Sequence, residues 1–389
     1  MTKYYGYFFK VLSLASKFLF LILIVPQLSD GVFSEYYLVL TYILIFSRLL
    51  SFGASENIAI KISGEICKVH DFFCLYVVFI SFSVLMFLLS NFFGGYYIAM
   101  ALVACFCASN VFSGLFRGFA PETYELNINL PWILFFIGAL LFDASTHVSL
   151  LNILFCSYIL TQVLVFLYVK SQLRIVFHIR AISQVGRIYF EMIPSGSIRQ
   201  FSIINQIIFI RLPFVLPDTL SLLKLNDSVA LGLSIVEGVW QLFMVPVNRR
   251  FSKYCNNKVL FYECYKSIIS TFVMFLSILP LFYLLTMVDF FEGYVQIPAF
   301  EELYIPVFIL SSVLLLADIR YWLWSHDRWS SVICFEVAVI VPYALISYFT
   351  ALYDFKSYMC SSIFLFSCSL VLLMYMTLRE RVMNRSPII

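Results

Sequence analysis

The sequence predicts an all-α polytopic membrane protein, with twelve transmembrane helices in two six-helix bundles and both termini in the cytoplasm. Three observations carry this. The 389 residues are 62% hydrophobic and 12% charged, with mean hydropathy +0.95, against about 45–50% apolar and about 25% charged in ordinary soluble chains. Apolar runs long enough to cross a bilayer (about 20 residues) recur along the whole chain with short polar breaks between them. Basic residues collect on alternate breaks, as the positive-inside bias requires.

The first apolar run, residues 8–28, follows a short polar start carrying Lys3. It is too long for a signal-peptide core and holds Lys17 at its middle, so it reads as an uncleaved helix. The second helix covers 33–52, with Arg48 near its end, and a basic loop with Lys61 and Lys68 leads to the third, 72–93. Gly94 and Gly95 make the turn into the fourth, 96–115. A loop with Arg117, Glu122 and Glu125 precedes the fifth, 126–142, and the sixth covers 148–169. Residues 1–169 thus form an N-terminal bundle. Residues 170–187 space Lys170, Arg174, Arg180 and Arg187 among apolar positions and read as an amphipathic cytoplasmic connector. The C-terminal bundle, 188–378, contains helices at 188–214, 228–247, 267–287, 303–324, 330–352 and 358–378, and a basic tail, 379–389, ends the chain.

With the N-terminus inside, the cytoplasmic side collects Lys3, Lys10, the connector cations, Arg249, Arg250, Lys253, Lys258, Lys266, Arg328, Arg379, Arg381 and Arg385. The outer loops keep only Lys224 and Lys356, beside acids that include Asp30, Glu35, Asp143, Asp218, Asp227, Asp289 and Asp354. A missed or invented helix would invert this bias from that point onward. On this topology the ten cysteines fall in helices or cytoplasmic loops, so no disulfide is expected. The histidines are scattered and no Cys/His cluster has metal-ligand spacing, so no metal and no cofactor is expected. A net charge of +3 gives no reason to expect nucleic acid.

Polar side chains inside the apolar runs carry the functional information. In the seventh helix Ser195, Arg199, Ser202 and Gln206 step by four, three and four, which places them on one stripe. An arginine left facing lipid at mid-depth costs roughly 2.5–3.5 kcal/mol on translocon scales, so the stripe should face protein or water. The first helix has Ser13, Ser16 and Lys17 on one side. The second carries Tyr37, Thr41, Arg48, Ser51 and Ser55, and the eighth Ser234, Glu237, Gln241 and Asn248. These are the first two helices of each half, a symmetry that predicts a hydrated cleft between halves. Its expected cations are Lys17, Arg48, Arg199 and Arg211, and its expected neutral lining is Ser16, Thr41, Ser195, Ser202, Gln206 and Gln241. Glu237 and Asp318 are the candidates for proton or sodium coupling. A cleft governed by its cations suits an anionic headgroup, whereas one governed by Glu237 and Asp318 suits a cation or a proton. The structural alternative is that the charges pair and pin helices together, with Arg48, Arg211 and Arg320 near helix ends and able to snorkel to the interface.

The run from Val11 to Gly64, VLSLASKFLFLILIVPQLSDGVFSEYYLVLTYILIFSRLLSFGASENIAIKISG, resembles the first two helices of the polysaccharide (Wzx-type, O-antigen) flippases, including the closing Phe52-Gly53 before a basic loop. The stretches EMIPSGSIRQFSIINQIIFIR and VALGLSIVEGVWQLFMVPVNRRFSKY are similar to that family's seventh and eighth helices, with Pro194 and Pro246 in place. The resemblance implies membership of the multidrug/oligosaccharidyl-lipid/polysaccharide (MOP) exporter superfamily, with helices one, two, seven and eight around a central cavity. It further implies movement of an undecaprenyl-pyrophosphate-linked oligosaccharide from the cytoplasmic to the periplasmic leaflet of a bacterial inner membrane. Lys17, Arg48 and Arg199 would then accept the pyrophosphate. A polysaccharide polymerase and a chain-length regulator would be partners beside the membrane lipids.

Other readings compete with this one. A MATE-like drug/cation antiporter of the same superfamily is the nearer rival, set against by the basic character of helices one and seven. A major-facilitator transporter would carry a GxLaDrxGrr-like loop after helix two, where this chain has GASENIAIKISGEICKVHD. An enzyme, either an O-antigen polymerase or a membrane glycosyltransferase, would need an outer domain, and the longest outer segments, 215–227 and 288–302, are too short to build one.

Overall fold

The computed structural model describes residues 5–62, 69–94, 96–119, 121–142, 144–173, 185–193, 227–257, 259–277, 300–326, 328–342, 345 and 355–385. Those residues are helices joined by short turns, and they fall in two compact units, Met1–Ile204 and Asn205–Ile389. The core is apolar, yet several polar side chains are buried and many large apolar ones are exposed. Asn127, Gln162, Ser83 and Ser369 are buried, while Leu141, Phe142 and Phe93 are 73%, 68% and 67% exposed. That arrangement suits surroundings of hydrocarbon, which solvates apolar atoms and leaves polar ones to bond within the protein.

The first unit holds α1 (Tyr5–Leu23, continued by a 3₁₀ turn Val25–Gln27), α2 (Val32–Ser51), α3 (Ala54–Ile62), α4 (Val69–Phe93), α5 (Tyr96–Phe119), α6 (Pro121–Leu141), α7 (His147–Leu173) and α8 (185–193). The second holds α9 (Asp227–Asn257), α10 (Phe261–Leu276), α11 (Phe300–Ser325), α12 (Trp329–Phe335, running into a π turn Glu336–Ile340) and α13 (Phe355–Arg385). Eight of these helices are long and apolar enough to cross a membrane, six in the first unit and two, in α11 and α13, in the second. They coincide with the first six, the tenth and the twelfth helices expected from the sequence. Most of the expected seventh helix lies outside the described residues.

In the first unit α5 is the central helix, packed against α2, α3, α4, α6 and α7. Gly114 sets the distance of closest approach: a Cβ there would lie 2.8 Å from the Ala54 carbonyl oxygen and 3.0 Å from the Ile58 Cβ. The segment after α2, expected as a loop, forms helix α3. Phe52 (φ 43°) and Gly53 (φ 62°) both adopt left-handed backbone and turn the chain. Asn57 then caps the reversal by donating from Nδ2 to the Phe52 carbonyl at 2.9 Å. Residues 185–193 close the inner end of α2. The Tyr189 hydroxyl donates to the Leu50 carbonyl at 2.6 Å, satisfying one of the acceptors that a helix end leaves free, and its ring meets Phe52 edge-on.

α1 and α6 pack along their lengths in constant register. Phe20 meets Phe135 with ring centroids 4.9 Å apart, Lys17 lies over Trp132, and Lys10 is within electrostatic reach of Glu125. Each pair is separated by 115 positions, and the first and second are ten and seven residues from the third along each helix. A fixed offset of this sign requires two parallel helices, so an odd number of crossings, here α2, α4 and α5, lies between them.

In the second unit α11 takes the central place, packed against α9, α10, α12 and α13. Ser311, Ser312, Asp318 and Arg320 are all buried along it. α9 continues well beyond the expected end of the eighth helix, so Arg250, expected in a basic loop, is helical and buried.

Candidate functional site

Lys17 and Trp132 stand near the middle of the two parallel spans Phe8–Gln27 and Thr123–Leu141, and the Lys17 Nζ lies 4.4 Å from the centre of the Trp132 ring. Both side chains are half-buried. A cation above an indole face is held by the ring quadrupole, a contact worth about 0.5–2 kcal/mol depending on desolvation. Two turns toward the inner end, Lys10 and Glu125 are each 8% exposed, and the Asn129 amide donates to a Glu125 carboxylate oxygen at 3.1 Å. Glu125, expected in a loop, is therefore a buried acid in the first turn of an apolar span. It was missed because the α6 helix starts at Pro121, a favoured first position, five residues before its apolar run.

Ser16 and Thr41 are buried, and each hydroxyl donates to the carbonyl four residues back in its own helix, Leu12 at 2.9 Å and Tyr37 at 2.8 Å. Arg48 is half-buried on α2 and acts electrostatically on Cys107 of α5 and Tyr158 of α7. The interior of the unit carries a neutral polar chain. Gln162 Nε2 donates to the Asn127 side-chain oxygen Oδ1 at 2.8 Å, and Asn127 Nδ2 donates to the Ser113 hydroxyl at 2.8 Å. That chain ties α7, α6 and α5 together.

In the second unit Glu237 and Gln241 are half-buried on α9. Asp318 on α11 accepts two hydrogen bonds of 2.7 Å from Arg250, through Nε and Nη2, and the third nitrogen of that guanidinium donates to the Thr271 and Ser267 hydroxyls at 3.1 Å. Three helices meet at this one group. Arg320, near a helix end and able by its position to snorkel, is instead fully buried and donates from Nε to Glu336 at 2.6 Å. Glu336 opens the π turn, where the widened backbone lets α12 present this acid to α11. Burial and the nearby Asp318 push the Tyr254 phenol, on the inner extension of α9, above its usual range. Arg199, Arg211, Ser195, Ser202 and Gln206 lie outside the described residues.

No family model matches the sequence, and no curated protein matches it. Solved structures do. A structure described as the outward-facing conformation of a multidrug resistance MATE family transporter of the MOP superfamily matches with TM-score 0.60 at 12% identity, over 98% of this chain and 94% of that one. The fold is that of the MOP-superfamily transporters. A MATE in the straight conformation matches the same MOP fold with TM-score 0.61 at 14% identity, over 97% of this chain and 94% of that one. A MOP-superfamily transporter from Pyrococcus furiosus Vc1 matches with TM-score 0.59 at 13% identity, over 99% and 95% of the two chains. It is described as having a binding pocket of reverse polarity that suggests a different function. All three share this chain's fold at 12–14% identity.

Proposed function

We propose that the chain is a secondary transporter of the bacterial inner membrane, working by alternating access of two helical units, with an anionic amphiphile as cargo. The observation that supports the transport reading is the fold, matched over 98–99% of the chain in two structures described as MOP-superfamily transporters. Two cargo classes follow from two different observations. The neighbour described as a multidrug resistance MATE family transporter favours the MATE-like drug/cation antiporter. The charged residues favour an anion: Lys17 and Arg48 lie on the first two spans, and Arg199 and Arg211 belong to the expected seventh helix. The finer form of this second reading is the lipid-linked oligosaccharide flippase, in which a pyrophosphate headgroup is drawn to these cations while its polyprenyl tail stays in lipid.

The candidates for coupling to protons or sodium are Glu237 and Asp318, of which Asp318 accepts two hydrogen bonds from Arg250. The discriminating experiment is uptake in vesicles of purified protein, comparing a fluorescent polyprenyl-pyrophosphate oligosaccharide with ethidium. Movement of the first and not the second supports the anionic reading, and the reverse supports the MATE-like one. Insensitivity of the transport to Glu237→Gln would remove that residue from coupling.

A further inference from the structure

In the second unit α10 and α13 pack antiparallel, and two contacts fix their register. At the inner end a Glu380 carboxylate oxygen of α13 accepts from the Tyr262 backbone N–H at 2.8 Å. It fills a first-turn donor of α10 that the apolar N-cap residue, Leu260, cannot. Further out, the Phe272 ring of α10 stacks on Phe366 of α13 with centroids 5.6 Å apart. Each helix turns an apolar stripe outward beside this seam, Val273 and Met274 on α10 and Val371, Met374, Tyr375 and Leu378 on α13, every one of them more than half exposed. Each stripe ends inward in an exposed cation. Lys266 lies two turns before Val273 on the same face of α10, and Arg381 follows Leu378 by one turn on α13. Because Tyr262 and Glu380 meet at one level, Lys266 is four residues outward of that level and Arg381 one inward, about 7–8 Å apart along the axis. Two acids stand nearby. Glu380 is engaged by α10 and lies within electrostatic reach of His326 and Arg328, and Glu263 is exposed one turn inward of Lys266.

We infer that the inner half of this seam binds one anionic phospholipid of the cytoplasmic leaflet, with its phosphate between Lys266 and Arg381 and its acyl chains along the two stripes. The phosphodiester meets an ammonium on one side and, on the other, a guanidinium fork that matches its two free oxygens. A soluble phosphate would meet the cations and leave the stripes uncovered. A zwitterionic lipid would cover the stripes but bring a second positive group to the cations. The leaflet follows from the distribution of basic residues, which puts these helix ends on the inner side. The site is independent of the cargo's charge, since Lys17, Arg48 and Arg199 take no part in it.

The test uses the full-length protein purified in detergent and titrated with dioleoylphosphatidylglycerol, with dioleoylphosphatidylcholine and inorganic phosphate as controls, and native mass spectrometry reads the bound lipid. Phosphatidylglycerol is retained at concentrations at which phosphatidylcholine is not, and inorganic phosphate does not displace it. Lys266→Gln and Arg381→Gln each weaken that retention about fivefold. Arg379→Gln removes the same charge from a position off the stripe, next to Leu378, and changes retention by at most about twofold. Glu263→Gln, which removes the nearby acid, strengthens it. All four positions are exposed, and an unfolding midpoint in phosphatidylcholine equal to that of the wild type shows that each variant folds. Equal losses in Arg379→Gln and Arg381→Gln would reveal a diffuse basic surface and overturn the inference. Equal retention of the two lipids, displacement by inorganic phosphate, or unchanged retention in the Lys266→Gln, Arg381→Gln double variant overturns it as well.

Discussion

A guanidinium enclosed by helices is stable only when its donors are matched, and Arg250 is matched on every side: two bonds to Asp318 and the rest to Ser267 and Thr271. Removing one member of such a pair strands the other, which costs about 3–5 kcal/mol, whereas replacing both by apolar groups of similar size is often neutral. Arg250→Met should therefore lower the thermal unfolding midpoint in detergent sharply, and Arg250→Met combined with Asp318→Leu should recover most of the loss. Equal destabilisation by the single and double variants would show that the pair does not act as a unit. The same reasoning extends to Arg320 and Lys17. The first donates to Glu336 inside its own unit, and the second also lies over the Trp132 ring.

At the scale of elements, two contacts are decided by single groups. Gly114 lets α3 lie against α5, and because the nearest obstacle to a side chain is backbone, Ala54 O at 2.8 Å, a larger residue cannot be accommodated by a rotamer change. Gly114→Val should sharply reduce the yield of folded protein on size exclusion, whereas Gly186→Ala, with open space around it, should not. The Tyr189 hydroxyl that caps α2 contributes about 1 kcal/mol, so Tyr189→Phe should raise hydrogen exchange in 185–193 by roughly fivefold. If exchange there is unchanged, the segment is held by its apolar contacts alone.

Apolar length made most of these elements legible: the six spans of the first unit and those in α11 and α13 stand where hydrophobic runs predict them. Their ends were less legible, because α3, the start of α6 and the end of α9 are helices of mixed composition stabilised by packing and caps. Glu125 and Arg250 were consequently read as loop residues. The partner of Lys17 was illegible for a different reason, since nothing along one helix records which position of another it will meet.

For the whole molecule, the parallel seam gives α1 and α6 the same direction, and the distribution of basic residues predicts that the N-terminus is inside. A fluorescent protein fused after Ile389 should fold and emit, and alkaline phosphatase fused after Asp30 should be active, while fusion after Lys68 should not. Activity after Lys68 would invert the topology.

The account as a whole turns on the sign of the cargo, because the MOP fold is shared with proteins described as multidrug transporters and the cations on α1 and α2 argue for an anion. The direct measurement is leaflet-to-leaflet movement of a fluorescent polyprenyl-pyrophosphate oligosaccharide in proteoliposomes of the purified chain. The prediction is that the wild type moves it, that Lys17→Gln at equal reconstitution does not, and that ethidium is not carried. Ethidium transport with a pyrophosphate lipid that stays in its leaflet would contradict it.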